Sequence, residues 1–419
     1  MSKDNLDFET VKVPTVKRRS NITLFMIMMG FTFFSASMWA GQTLAAGLDF
    51  KGFILALILG GVILGAYTGT LGFIGAESGL SLDLLAQRSF GRKGSWLPSA
   101  MISFTQTGWF GVGLAMFAIP VVKEVFNIPV TPDSMPWQGY VLVVLAGVLM
   151  TASAFFGIRS LTIISYIAVP LVAILGTAAM IMAVKQGDRT LIEQFSVGTK
   201  NLSVIAAAGL VIGSFVSGGT ATPNFTRFGK KGVSAAIITV LAFFIGNSLM
   251  FFFGAVSSIY VGGNDIFEVM LNLNLFWFAI IVLGLNIWTT NDNAIYSSGL
   301  GMANITGLSK RTLVLICGIL GTIFAVWLYW NFCGWLNILN CTLPPIGIIL
   351  TVDYFIRRKS YLDDTVEIKD VNWFSVLGVA AGAVVANILP WGISSINGMI
   401  VAVIVYLVGR CSCCSCRER

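Results

Sequence analysis

Histidine is absent from all 419 residues. That absence removes imidazole proton relays, imidazole metal ligands and histidine-based catalytic triads together. Charge is also scarce: Asp, Glu, Lys and Arg make up 11% of the chain, where a soluble globular domain carries about 25%. Strand-like alternation of polar and apolar residues is missing, which argues against a membrane β-barrel. There are no paired carboxylates in the apolar segments and no cysteine-based dyad, so nothing points to an enzyme. Rings of charge and repeated filter-like carbonyl motifs, the marks of a channel, are not visible either. The first 20 residues are polar and basic, and the apolar run that follows is too long for a secretory h-region, so no cleavable signal is expected.

What remains is apolar. Hydrophobic residues make up 56% of the chain and mean hydropathy is +0.85. A helical membrane span needs roughly 20 apolar residues, and the sequence supplies twelve such segments: 21–46, 52–77, 96–122, 139–157, 161–184, 202–226, 234–259, 275–303, 311–330, 332–356, 372–389 and 393–409. The 45 glycines suit helices that pack closely without a hydrophobic drive between them. The expected fold class is an all-α polytopic membrane protein. Residues 1–20 form a polar tail, 21–409 a single transmembrane domain and 410–419 a second tail.

Basic residues set the orientation. With the N-terminus inside, 21 of the 26 Lys and Arg fall on inside segments; only Lys51, Lys123, Lys185, Arg189 and Lys200 fall outside. The positive-inside rule then places both termini in the cytoplasm and the chain in the cell membrane. The net charge of +7 is a topology signal and calls for no nucleic acid. Cys317, Cys333 and Cys341 read as packing residues in helices. The terminal CSCCSC (411–416) reads as a dispensable reduced tail, with S-acylation or soft-metal binding as alternatives.

Two segments look internally broken. The first carries Gly30, Ser35, Ala36, Ser37 and Gly41 near its middle; the sixth carries Gly213, Gly218, Gly219 and Pro223. Unwound backbone at membrane depth is tolerated only around a buried site or cavity. Interrupted helices in matching positions of two halves are a pointer to a transporter binding site. Segments one and six are five apart, so 21–184 and 202–356 read as a five-plus-five inverted repeat with discontinuous helices 1 and 6, and 372–409 adds two helices. Close helix packing is the alternative role for these small residues.

The eighth segment reads GLNIWTTNDNAIYSS (284–298), with three Asn, an Asp, two Thr and two Ser in an apolar setting. On a helix, Asn286, Thr289, Thr290, Asn293 and Ser297 fall within an arc of about 100°. Polar groups at membrane depth face a bundle interior or a watery cavity and mark functional sites. In the third segment Gln106 and Trp109 are one turn apart; an amide beside an aromatic face suits a flat, hydrogen-bonding heterocycle. An interhelical amide bond and a core indole are the other reading. Asp353, before Arg357 and Arg358, reads as an end-of-helix ion-pair group, and Glu77 similarly lies near the inner end of segment two.

The blocks GFTFFSASMW (30–39), SFGRKGSWLPS (89–99), TQTGWFGVGLAMFAIPV (105–121), GLNIWTTNDNAIYSSGLGMANITG (284–307) and LPPIG (343–347) closely resemble the bacterial cytosine permeases of the nucleobase–cation symporter family, and the likeness covers nearly the whole chain. The resemblance implies the five-plus-five fold and Na⁺-coupled symport of cytosine into the cell. The alternative is another flat heterocycle: a purine, allantoin, hydantoin or hydroxymethylpyrimidine. It further implies Trp109 and Phe215 as two faces of an aromatic clamp and Gln106, Ser214, Ser217 and Asn291 as groups that hydrogen-bond substrate. Sodium would meet the carbonyls of Gly30, Phe33 and Asn286 and the hydroxyls of Thr289 and Thr290. No cofactor is implied beyond the coupling ion. Asn291 lies about 140° round an ideal helix from Asn286, off the stripe, and Asp292 is displaced too and reads as a structural partner. Where the family has an Ala-Asp pair before its Phe-x-Arg-Phe-Gly run, this chain has Pro223-Asn224.

Overall fold

A computed structural model describes residues 7–187, 190–195, 201–263, 265–363, 365–389 and 391–415. Cys333 and the CSCCSC tail lie outside the residues whose side chains are described. The chain is helical throughout: α1 (Asn21–Thr32), α2 (Ser35–Gly47), α3 (Phe50–Ser78), α4 (Leu82–Phe90), α5 (Trp96–Pro120), α6 (Trp137–Phe155), α7 (Ile158–Gln186), α8 (Leu191–Phe195), α9 (Val204–Thr220), α10 (Pro223–Thr226), α11 (Gly232–Leu241), α12 (Asn247–Val261), α13 (Ile266–Asn272), α14 (Phe276–Thr306), α15 (Lys310–Trp330), α16 (Phe332–Ile356), α17 (Arg358–Leu362), α18 (Trp373–Ile388) and α19 (Ser394–Ser415). Short polar side chains start several of them. Ser20, Asp49, Ser81, Ser203 and Ser309 each accept a first-turn backbone N–H and satisfy one of the donors a helix start leaves open.

Among the described residues, seven helices are long and apolar enough to cross a bilayer, and eight if the bent α1–α2 pair is one span. The helices Val204–Thr220, Trp373–Ile388 and Ser394–Arg410 are apolar but shorter. At 31 residues α14 is long enough, but its polar stripe dilutes its hydropathy. All twelve expected segments are therefore helical, though length and composition alone single out only seven or eight as spans.

The first segment breaks where the sequence suggests. Phe33 and Phe34 are extended (φ −81°, ψ 94° and φ −143°, ψ 134°), and α1 and α2 meet at 57°. The sixth also breaks, at Ala221–Thr222 beside Pro223 and between α9 and α10, but Gly213, Gly218 and Gly219 lie inside the continuous helix α9. These glycines instead allow close approach. A Cβ at Gly219 would sit 2.6 Å from Thr68 Cγ2, and one at Gly213 would sit 2.7 Å from Asn340 Nδ2. Packing without side chains held the helix together where composition suggested unwinding.

The centre is built on α14 and α9. α14 lies along α5 and also touches α1 and α7, while α9 packs on α3 and on α16. A π-helical turn at Ala242–Gly246 leaves the Ala242 carbonyl open, and Thr32 of α1 donates to it (3.2 Å).

The basic loops gather at one end. Arg19 donates its backbone N–H to Phe228, Val13 to Gly79 and Arg92 to Lys369, and Lys93 pairs with Asp370 at 3.1 Å. Arg357 and Tyr361 both donate to the fully buried Asp353, as does Tyr406, which makes Asp353 the end-of-helix hub that its position suggested. Glu77 pairs with Arg358 at 2.9 Å at the same end.

Candidate functional site

The break between α1 and α2 turns backbone oxygens toward α14. Once the ladder stops at Phe33, the last carbonyls of α1 lose their intrahelical partners. The Thr290 hydroxyl lies 2.7 Å from the Phe33 carbonyl and 3.4 Å from those of Gly30 and Phe31. One residue back, the Thr289 hydroxyl lies 3.1 Å from the Asn286 carbonyl and 3.2 Å from that of Leu285. The Asn286 side chain accepts from Ser35 of α2 (3.0 Å) and so fixes the second half of the break. Gly30 makes the approach possible, because a Cβ there would lie 3.1 Å from Ser165 Oγ and 3.2 Å from Thr289 Cβ. Of the expected cation oxygens, the Thr290 hydroxyl meets the carbonyls of Gly30 and Phe33, while the Thr289 hydroxyl bonds to the Asn286 carbonyl within α14, with Thr289 Cβ packed against Gly30. The Phe31 carbonyl joins them and the Ser165 hydroxyl of α7 approaches; neither was singled out from the sequence. Neutral oxygens in this number suit a hard monovalent cation that must also leave.

Against this junction lies a small cavity lined by Phe31, Phe34, Gln106, Trp109, Ser214, Phe215, Ser217 and Thr290, among others. Its free volume is about 10 Å³, room for one water at most. The rings that bound it are braced by others. Phe34 meets Trp109 edge-on at 5.4 Å, and Phe31 meets Phe215 edge-on at 5.3 Å. The Trp109 indole N–H donates to Ser217 (3.3 Å), and Ser214 donates to the Val211 carbonyl while accepting from Asn247. Gln106 is 1% exposed, and its Nε2 has no partner. A buried amide without a partner is costly, so it offers a hydrogen bond to whatever occupies the cavity. Phe31 and Phe34 are site residues that sequence reading missed. They sit in an ordinary aromatic run, and only the break aims them inward.

Asn291 is not brought to the cavity. Its amide donates to the Phe110 carbonyl (3.1 Å) and touches Met150 Sδ, and a Cβ at Gly113 would collide with its oxygen at 2.2 Å. α14 keeps regular geometry here, so Asn291 faces α5 and α6, and its expected contact with substrate is corrected to an interhelical one. Asp292 points the same way and accepts from Ser153 of α6, which also receives the Trp288 indole N–H (3.0 Å). It has no place at the junction, as the sequence suggested.

The two ends of the site differ. Away from the basic loops, a cavity of about 480 Å³ opens beside it, and Trp109 and Ser214 line both spaces. Toward the basic loops the way is closed. Phe225 stacks toward Phe31 (5.1 Å) and Tyr296 (6.0 Å), and the wholly buried Arg227 donates to Tyr296 and to the carbonyls of Asp7 and Phe8. The Asp7 carboxylate pairs with the buried Lys310 and accepts from the Ile158 N–H. Asn224 accepts from the Leu82 N–H (2.9 Å).

Asp83 of α4 is buried beside this closed end and accepts from Ser99 (2.6 Å). Burial pushes its carboxyl up to about 6 from an ordinary 3.8, partly offset by Ser99 and Arg227. The fold therefore favours the neutral acid. That contribution is full below about pH 4 and is lost as pH rises through about 6. Asp83→Asn should stabilise the protein at pH 8 relative to wild type by on the order of 3 kcal/mol, and hardly at pH 4. Thermal unfolding across that range reads this out; an offset independent of pH would contradict it.

Comparison with known proteins joins these observations. Residues 12–412 match the family model described as permease for cytosine/purines, uracil, thiamine, allantoin. The chain belongs to this permease family. It is 46% identical over 409 residues to the cytosine permease of Escherichia coli (strain K12), covering 97% of this chain and 95% of that one. It is 24% identical to the hydantoin permease of Microbacterium maritypicum, covering 78% and 73%. Its fold is similar to that of a nucleobase-cation-symport-1 family transporter solved in a closed conformation with bromovinylhydantoin bound, with TM-score 0.79, 19% identity and coverage of 97% and 94%. The permease is thus a multi-pass membrane transporter and not an enzyme, as its lack of catalytic groupings suggested.

Proposed function

We propose that the permease carries cytosine into the cell by Na⁺-coupled symport, through alternating access around the site at the α1–α2 break. The observation that carries this reading is Thr290. Its hydroxyl touches the Gly30, Phe31 and Phe33 carbonyls, and the same residue lines the cavity between Trp109 and Phe215. A cation at the junction and a base in the cavity, admitted when the ring walls move apart from their present closed packing, would stabilise one alignment of α1 on α14, so each would raise affinity for the other. A planar neutral base suits the aromatic faces, and Gln106, Ser217 and Ser214 supply partners for its edges. Cytosine is favoured by the 46% identity to a cytosine permease.

The architecture proposed is twelve spans in a five-plus-five inverted repeat followed by two helices, with both termini cytoplasmic. The gathering of basic loops at one end supports that orientation, since the 480 Å³ cavity then faces outward and the closed end inward. Uptake of labelled cytosine into proteoliposomes tests the function. It should require an inward Na⁺ gradient, and uncoupled or absent uptake would sink the ion or the substrate respectively. A competition panel of purines, allantoin and hydantoin should compete weakly, because a pocket built to pair each edge of one ring leaves buried groups unpaired with another.

The cation oxygens give a separate prediction. Thr290→Val keeps the shape and removes the hydroxyl, and Thr289→Ala removes its neighbour. Each should raise the Na⁺ concentration for half-maximal uptake by about tenfold, equivalent to ~1.4 kcal/mol. An unchanged Na⁺ dependence in both would place the ion elsewhere.

A further inference from the structure

The 480 Å³ cavity is larger than an access route needs, and it is furnished. Trp39 and Tyr329 meet edge-on at 5.5 Å on its wall, and Trp330 stands beside them. Gln42 and Asn340 supply amides. The Asn340 side-chain oxygen is buried and has no hydrogen-bond partner. Its position is nonetheless tightly held. The Asn340 carbonyl accepts from Ser395 of α19 (3.1 Å), and its Nδ2 rests where a Cβ on Gly213 would intrude at 2.7 Å. A fixed, buried amide oxygen without a donor calls for an explanation; Asn340 lines the cavity, and a turn of its side-chain amide would bring the now covered oxygen to a ligand N–H there. Aromatic walls with a few placed amides repeat the chemistry of the inner cavity one step outward. Trp109 and Ser214, common to both spaces, form the passage between them.

We propose that this outer cavity is a second binding station for the same class of ligand, a flat neutral heterocycle. There the base is stacked among Trp39, Tyr329 and Trp330, and Asn340 accepts a hydrogen bond from its ring edge before the base passes Trp109. The junction oxygens at the α1–α2 break are not part of this station, so its binding is independent of sodium. The permease then reads its substrate twice, first weakly and without the ion, then tightly with it. This inference rests on the proposed transport of a nucleobase.

Equilibrium binding of labelled cytosine to the purified full-length protein tests it. Gln106→Ala disables the inner cavity. That variant should keep one weak, saturable, sodium-independent site, and Gln106→Ala/Asn340→Ala should lose it. In uptake assays Asn340→Ala should raise KM by about fivefold, the worth of one neutral hydrogen bond, with the maximal rate within about twofold. Gly213→Ala leaves Asn340 in place but pushes its amide aside, and the same KM rise is expected; this variant keeps the test decisive should Asn340→Ala fail to fold. If Gln106→Ala binds no cytosine saturably, or if Asn340→Ala and Gly213→Ala transport with wild-type KM, the outer station does not exist. Wild-type protein that binds no cytosine even with Na⁺ would instead refute the transport reading itself.

Discussion

Trp109→Ala should abolish the tight, sodium-dependent binding of nucleobase while leaving the protein folded. Stacking a base on an aromatic ring is worth about 1–3 kcal/mol by alanine substitution. The indole also donates to Ser217 and meets Phe34 edge-on, so truncation disorders two further walls of the cavity. Together these losses correspond to a fall in affinity on the order of 100-fold or more. The fold should survive because the indole faces cavities on two sides and the truncation enlarges existing space. Trp109→Phe keeps a ring face and loses the indole N–H, and it should recover part of the affinity. Direct binding with labelled cytosine, alongside a thermal-unfolding control, checks the series. Wild-type affinity in Trp109→Ala would remove the clamp from the proposed mechanism.

Asp7→Ala should have the second large effect, at the opposite end. Lys310 is 1% exposed and its ammonium pairs with Asp7. Removing one partner of a buried pair leaves a charge without compensation, at a cost of about 3–5 kcal/mol. Residues 7–19 are also held to the bundle by Arg227 to the carbonyls of Asp7 and Phe8, Ile158 N–H to Asp7, Lys310 N–H to Glu9, Val13 to Gly79, Arg18 to the carbonyls of Ala76 and Gly229, and Arg19 N–H to Phe228. The cost therefore falls on closure of this end, shifting the balance toward the open form by on the order of 100-fold. Hydrogen exchange at the Val13, Arg19 and Leu82 amides should quicken, and concentrative uptake should fall. Asp7→Ala/Lys310→Met removes both charges and should restore protection. Unchanged exchange in the single variant would mean that the tail merely rests on the bundle.

Some of this was readable residue by residue. Hydropathy, the asymmetry of Lys and Arg, and the i, i+3, i+4 spacing of Asn286, Thr289 and Thr290 are local properties. The structure makes each expected segment helical, breaks the first of them and sets the Thr290 hydroxyl against the freed carbonyls of α1. Asp292 could be set aside from helical angles alone, and its bond to Ser153 agrees. The same angular argument put Asn291 off the stripe. The family resemblance drew it toward substrate, and packing against Phe110 and Met150 decided for the angles.

By itself, then, the sequence determined the helical membrane class, the polar stripe on α14 and the break in α1, because each follows from the chemistry of residues within one or two turns of each other. Tertiary structure alone decided the rest. Glycines that composition marks as weak points in α9 became contact surfaces, because Thr68 and Asn340 close on them from other helices. Phe31 and Phe34 became cavity walls only because an extended pair of residues turned them inward. Asp7, far from the site in sequence and unremarked in composition, became part of the closure at the basic-loop end because its carboxylate meets the buried ammonium of Lys310, some 300 residues later. Such meetings depend on which faces of distant helices come together, and no local pattern encodes them.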